Sequence, residues 1–165
     1  QLPVTAQAIR NGLAMVELTG RFQIVPGEPV LVLDVAHNPH SVAALAANLD
    51  AMGFYPTTHA VFGAMADKDV AAIMARVGVL VDRWYFCDLP TARASSAQDL
   101  QKQWQQTNSR KNVTSSVYKD PKAAFEAAVA AADPADRIVV FGSFYTVGGV
   151  LKDGIPRLNA PHLSS

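Results

Sequence analysis

From Val30 onward, short apolar runs alternate with longer stretches in which apolar residues recur every three or four positions. Val30-Leu31-Val32-Leu33 is a continuous aliphatic run, the pattern of a strand covered on both faces. Ala60 to Phe62, Arg83 to Cys87, Val113 to Tyr118 and Arg137 to Phe141 read as further strands, and Phe22 to Val25 as a short extended segment before a Pro26-Gly27 turn. Between them, helical spacing predicts helices over about 39–52, 69–79, 97–106 and 121–132, and a short last one through Val150. An earlier helix over about 6–18 is expected, capped by Thr5 and striped by Ile9, Leu13, Val16 and Leu18. The tail from Gly154, with Pro156 and Pro161, is expected to be irregular.

Strands alternating with helices of this length predict an α/β domain. Its mainly parallel sheet has about six strands flanked by helices, in a Rossmann-like arrangement. With 165 residues, half of them hydrophobic and 17% charged, the chain suits one domain with a sizeable core. Lys plus Arg equal Asp plus Glu at 14 each, with no basic block, which argues against nucleic-acid binding. No apolar run approaches the length of a bilayer span. Cys87, the single cysteine, sits in the apolar run Trp84 to Cys87 and reads as a buried thiol of a cytoplasmic protein. The chain opens on Gln1 rather than Met and is expected to start inside a longer protein.

In open α/β sheets ligands bind beyond the carboxyl ends of the strands, and several such ends carry polar residues here. In Asp34-Val35-Ala36-His37-Asn38-Pro39, a carboxylate at a strand tip suits a ribose hydroxyl. The helix start at Pro39 suits phosphate oxygens, and His37 could donate to them. The same spacing also fits a turn closed by Asp34 and a helix capped by Asn38. Arg21, after Gly20, fits either a surface position or a phosphate or carboxylate contact. Lys68, between Asp67 and Asp69, fits an exposed turn or a substrate carboxylate site, and either aspartate could cap the next helix. Arg93 lies on the same expected rim. Ser143, after Gly142, fits a helix cap as well as a ligand contact. Gly-x-x-x-x-Gly-Lys-Ser/Thr, Gly-x-Gly-x-x-Gly and Gly-x-Ser-x-Gly are all absent. That removes a phosphate loop within this chain, a dinucleotide dehydrogenase fingerprint and a hydrolase elbow. The four histidines show no zinc-site spacing.

Taken in order, Gly20-Arg21-Phe22-Gln23, Leu33 to Pro39, Gly63-Ala64-Met65-Ala66-Asp67-Lys68-Asp69 and Gly142-Ser143-Phe144-Tyr145-Thr146-Val147 resemble the C-terminal domain of the bacterial folylpolyglutamate synthase/dihydrofolate synthase family, within the Mur ligase superfamily. The resemblance runs from about Val4 to Leu151. It implies an ATP-dependent ligase that phosphorylates a carboxylate of dihydropteroate or folate and then couples L-glutamate to the acyl phosphate. It further implies Arg21, Asp34, His37 and Asn38 on the nucleotide, with Asp34 on the ribose and His37 beside the phosphates. Lys68, Ser143, Tyr145 and Arg93 are implied for glutamate, and His37 and Lys68 as the catalytic pair. In Pro90-Thr91-Ala92-Arg93 the arginine is separated from the proline, a departure from the family's Pro-Arg-Ala stretch. Mg2+ is implied with ligands mostly from an N-terminal phosphate-loop domain outside this chain, so the fragment alone is expected to be inactive. The resemblance also implies a monomer. Two other readings are a Mur-type peptidoglycan ligase domain and a non-catalytic α/β ligand-binding module.

Overall fold

The computed structural model describes residues 22–158. The helix expected over 6–18, and Arg21, lie outside the described residues. Six strands form one sheet: β1 (Gln23–Val25), β2 (Val30–Asp34), β3 (Thr58–Phe62), β4 (Arg83–Cys87), β5 (Thr114–Tyr118) and β6 (Arg137–Phe141). Among the described residues five helices connect or follow them: α1 (Pro39–Ala51), α2 (Val70–Gly78), α3 (Ala97–Thr107), α4 (Pro121–Ala131) and α5 (Phe144–Val150). A 3-10 turn at Leu151–Asp153 follows α5. The spatial order is β1-β2-β6-β3-β4-β5; β1 runs antiparallel to β2 and every other pairing is parallel. The expected mainly parallel α/β sheet is therefore present. The third strand begins two residues earlier than its apolar run, at Thr58 and His59. These polar residues are tolerated inside because tertiary partners satisfy them.

Each helix starts where a side chain can take an orphan amide. Asn38, in an extended conformation, accepts from the Ser41 amide at 2.8 Å, and Pro39 at the first helical position has no amide proton to leave unpaired. Asp69, Ser96, Asp120 and Ser143 do the same for α2 to α5. Apolar residues then recur on one face: Val42, Leu45 and Leu49 in α1; Val70, Ile73, Met74 and Val77 in α2; Leu100 and Trp104 in α3. These pack with Val32, Phe62, Trp84, Phe86 and Phe141 on one side of the sheet. Ala124, Phe125 and Ala128 of α4 and Val147 and Val150 of α5 pack with Leu33, Val61, Tyr85 and Val140 on the other. Each Val, Leu, Ile, Met or Phe side chain among them contributes about 1.5–3 kcal/mol on removal from water. Phe62 and Phe141 sit at the centre, 4.8 Å apart between ring centroids.

The strand order has one consequence for function. The helices after β2, β3 and β4 cover one face, whereas those after β5 and β6 cover the other. β6 lies between β2 and β3. Chains leaving neighbouring strands therefore diverge to opposite faces, and a crevice opens at their carboxyl ends.

Candidate functional site

Register sets this rim level. Phe141 at the end of β6 pairs with Asp34 on one side and Phe62 on the other. Just beyond, the Gly142 amide donates to the Ala36 carbonyl at 3.0 Å, joining the β6–α5 loop to the β2–α1 loop. Gly142 has φ of 116°, and a Cβ there would lie 2.2 Å from the Gly63 carbonyl oxygen. Only glycine fits so close an approach in that conformation.

On the other side Thr146 makes the link. Its Oγ1 donates to the Gly63 carbonyl oxygen at 2.8 Å. The Ser143 hydroxyl, 2.9 Å from Thr146 Oγ1, then donates to it and accepts from the Thr146 amide at 3.1 Å. From Gly63 the connections continue: the Ser95 amide donates to the Ala64 carbonyl at 2.9 Å, and the Ala66 amide to the Arg93 carbonyl at 2.8 Å. A bridge between Met65 and Ala94 completes this contact. Four strand-end loops are thus joined by hydrogen bonds into one rim. Neither Thr146 nor its link was singled out in the sequence. The available signal was local, because Ser143 and Thr146 have the three-residue spacing of a helix cap.

The candidate side chains occupy this rim unequally. Asp34 is 1% exposed, and its Oδ1 accepts from the Ala36 amide at 2.8 Å. The carboxylate thereby closes the turn that leads to His37. His37 Nδ1 lies 3.0 Å from the Val35 carbonyl oxygen. A carbonyl can only accept, so Nδ1 carries the proton, and Nε2 is left as an acceptor in the neutral ring and a donor in the imidazolium. Nε2 has no partner among the described residues. The Asn38 side chain is occupied as the cap of α1 and Ser143 as the cap of α5.

Lys68 is half-buried, with Nζ 3.9 Å from Asp67 Oδ1, which is too long for a hydrogen bond. Asp69, rather than Asp67, caps α2. Arg93 is exposed, has no ion-pair partner among the described residues, and lies in the loop tied to the Lys68 segment. The structure therefore brings Asp34, His37, Asn38, Ser143, Lys68 and Arg93 onto one hydrogen-bonded edge. Tyr145 differs. It is 46% exposed and faces a cavity on the α4–α5 side, lined by neither His37 nor Lys68.

Among the described residues no group of three His, Cys, Asp or Glu side chains is placed to hold a metal ion. Cys87 is buried against the Phe62 carbonyl, and burial, with Asp88 and Asp120 adding to it, pushes its thiol well above the ordinary range. No described helix is long and apolar enough to cross a membrane.

An open, mostly parallel α/β sheet with a polar rim at its switch point defines the class: a doubly wound α/β domain. Within that class the chain belongs to the family described as Mur ligase, glutamate ligase domain, whose profile matches residues 20–144. It is 36% identical over 151 residues to the dihydrofolate synthase/folylpolyglutamate synthase of Escherichia coli (strain K12), covering 92% of this chain and 34% of that protein. The solved structure of E. coli FolC in complex with DHPP and ADP superposes with a TM-score of 0.72 at 34% identity, over 81% of this chain and 30% of that one. A bifunctional folylpolyglutamate synthase/dihydrofolate synthase with Mn, AMPPNP and L-glutamate bound gives a TM-score of 0.70 at 36% identity, over 80% of this chain and 30% of that one. The resemblance read from the sequence motifs thus holds. The chain spans about a third of the length of these relatives.

Proposed function

We propose that this chain is the C-terminal part of an ATP-dependent ligase that joins L-glutamate to dihydropteroate, to folates, or to both. The carrying observation is the single rim on which His37, Lys68, Arg93 and the Ser143 loop are held together. Family membership and the nucleotide and glutamate named for the solved relatives support the same reading.

In this reaction the acceptor carboxylate attacks the γ-phosphorus of ATP, the bond to the bridging oxygen breaks, and ADP leaves an acyl phosphate. The glutamate amine attacks the acyl carbon, a C–N bond forms, and inorganic phosphate departs with the bonding pair. The amine's proton passes to a base or to water. Positioning and neutralisation of charge are the protein's main tasks in such chemistry. The β2–α1 loop serves the nucleotide: the His37 ring, its Nδ1–H anchored on Val35, presents Nε2 toward phosphate, beside the start of α1 capped by Asn38. Arg21 and Asp34 complete this half. A ribose contact through Asp34 requires its buried carboxylate to become reachable. Lys68 and Arg93 supply cationic groups for the incoming glutamate, and Ser143 sets the start of α5 beside them.

The remaining phosphate-binding groups, the ligands of Mg2+ and the folate pocket belong to the further length that the relatives carry, so this chain alone does not turn over. The setting of the reaction is cytoplasmic. The test is phosphate release by the full-length ligase with ATP and dihydropteroate, with and without L-glutamate, and with hydroxylamine to trap the acyl phosphate. Release that needs the acceptor, a hydroxamate product, and its suppression by glutamate are expected. Release indifferent to both substrates would overturn the proposal.

A further inference from the structure

A cavity of about 580 Å3 lies on the α4–α5 face, immediately past Ser143. This is within the ~300–1,000 Å3 of small-molecule sites. None of the residues assigned above to nucleotide lines it. Its apolar part comes from Leu89 and Pro90 after β4, Pro121 at the start of α4, and the exposed rings of Phe144 and Tyr145, at 45% and 46% exposure. Gly148 and Gly149 leave one wall without side chains. A Cβ at Gly149 would lie 2.7 Å from the Pro121 ring, so α5 is seated directly on the start of α4 and the floor is fixed.

Charge around this cavity has one sign to spare. Three lysines, Lys119, Lys122 and Lys152, line it with one carboxylate, Asp120. Asp120 is engaged as the cap of α4, accepting from the Ala123 amide at 2.7 Å. Lys122 donates to Asp153 at 2.6 Å. Lys119 and Lys152 have no ion-pair partner among the described residues. An apolar floor ringed by cations suits a ligand with a hydrocarbon backbone and carboxylates spaced along it. Inorganic phosphate would leave the floor unused, and a neutral apolar ligand would leave both ammonium groups unanswered.

We propose that this cavity is a subsite for the γ-glutamyl tail of a substrate already carrying several glutamates; the inference rests on the ligase reading above. Each γ-linked residue presents two methylenes along the chain and one α-carboxylate to the side. The methylenes lie over Pro90, Pro121 and the two glycines, and the carboxylates meet Lys119 and Lys152. Tyr145 then contacts the existing tail rather than the incoming amino acid. The device favours acceptors that have been extended once or more.

The test uses the full-length ligase carrying Lys119→Ala and Lys152→Ala together, with folate acceptors bearing one or three γ-glutamyl residues. The KM for the triglutamate is expected to rise about fivefold, that for the monoglutamate by less than about twofold, with kcat steady, as for two partly exposed charge contacts. The Lys119→Arg/Lys152→Arg enzyme should restore the triglutamate KM. Equal changes for both acceptors, or none for the triglutamate, would overturn the subsite while wild-type turnover of the monoglutamate left the ligase reading standing. Failure of the wild-type enzyme to extend either acceptor would overturn the subsite, and the ligase reading falls with it only when dihydropteroate also goes unused.

Discussion

The two edges of this sheet carry the same kinds of polar residue and treat them in opposite ways. At the carboxyl edge, His37 is pinned by one nitrogen and leaves the other without a partner among the described residues. At the amino edge, His59 is 0% exposed and both nitrogens are matched: Nδ1 lies 2.8 Å from the Tyr85 hydroxyl and Nε2 2.9 Å from Asp136 Oδ2. An ionised carboxylate only accepts, so Nε2 carries the proton and the Tyr85 hydroxyl donates to Nδ1, a chain that satisfies the neutral ring. Arg137, 3% exposed, donates to Thr58 and to the Leu49 carbonyl at the end of α1, and lies 4.6 Å over the Tyr55 ring. Burial lowers the pKa of both His59 and Arg137, against the pull of Asp136 on the histidine. A histidine or arginine is thus a site candidate where the fold leaves it a free donor or acceptor; where partners surround it, it is part of the core.

Removing one member of the amino-edge pair should have the largest effect on folding. His59→Ala opens a space in the core and takes one donor from Asp136 Oδ2, which keeps only the Asp133 amide, and should cost about 3–5 kcal/mol in chemical denaturation. Activity per folded molecule should change little, and a large specific loss would erase the contrast between edges. The converse holds for His37→Ala in the full-length ligase. We expect kcat to fall about 10²–10³-fold, as when one charge-stabilising donor is removed, with the melting temperature unmoved. An unchanged kcat would take His37 out of the mechanism.

Thr146 sits between these extremes, since it is fully buried yet serves the rim. Thr146→Val leaves the Gly63 carbonyl and the Ser143 hydroxyl short of a partner and should cost about 1–3 kcal/mol, with KM for glutamate raised. Thr146→Ser, which keeps the hydroxyl, should recover KM more fully than stability. If both variants behave alike, the link between the loops has no role in the site.

The smallest effect is on pH dependence. Unfolded His59 binds a proton near pH 6.5, while the folded ring does so only at lower pH. Between those values the unfolded state holds more protons, so this contribution is complete above pH 6.5 and is lost as pH falls through the folded value. The slope from one such group is at most about 1.4 kcal/mol per pH unit. His59→Gln should flatten it in denaturation curves taken from about pH 7 to 5; an unaltered slope would assign the acid sensitivity to other groups.

Much of this molecule was legible before folding. All six strand positions and the helices from Pro39 onward follow from the pattern of apolar and turn residues, and the caps Asn38, Asp69 and Ser143 from residue type. These depend on interactions within a few residues, where spacing and chemistry are visible in the chain itself. The motifs placed candidate side chains at strand ends but could not say which are reachable. Asp34 turned out to be closed under its own loop. The start of β3 was hidden because Thr58 and His59 are polar, and their partners lie far along the sequence.

What the sequence by itself determined is the succession of elements, their caps, and the family kinship carried by four ordered motifs. The tertiary structure alone decided that β6 enters between β2 and β3, that His59 meets Asp136 across 77 positions, and that Thr146 reaches Gly63 across 83. Local preferences act over one helical turn or one strand pair. Strand order and buried polar pairs arise only when the whole core closes, because each buried donor must then find its acceptor wherever the chain has placed it.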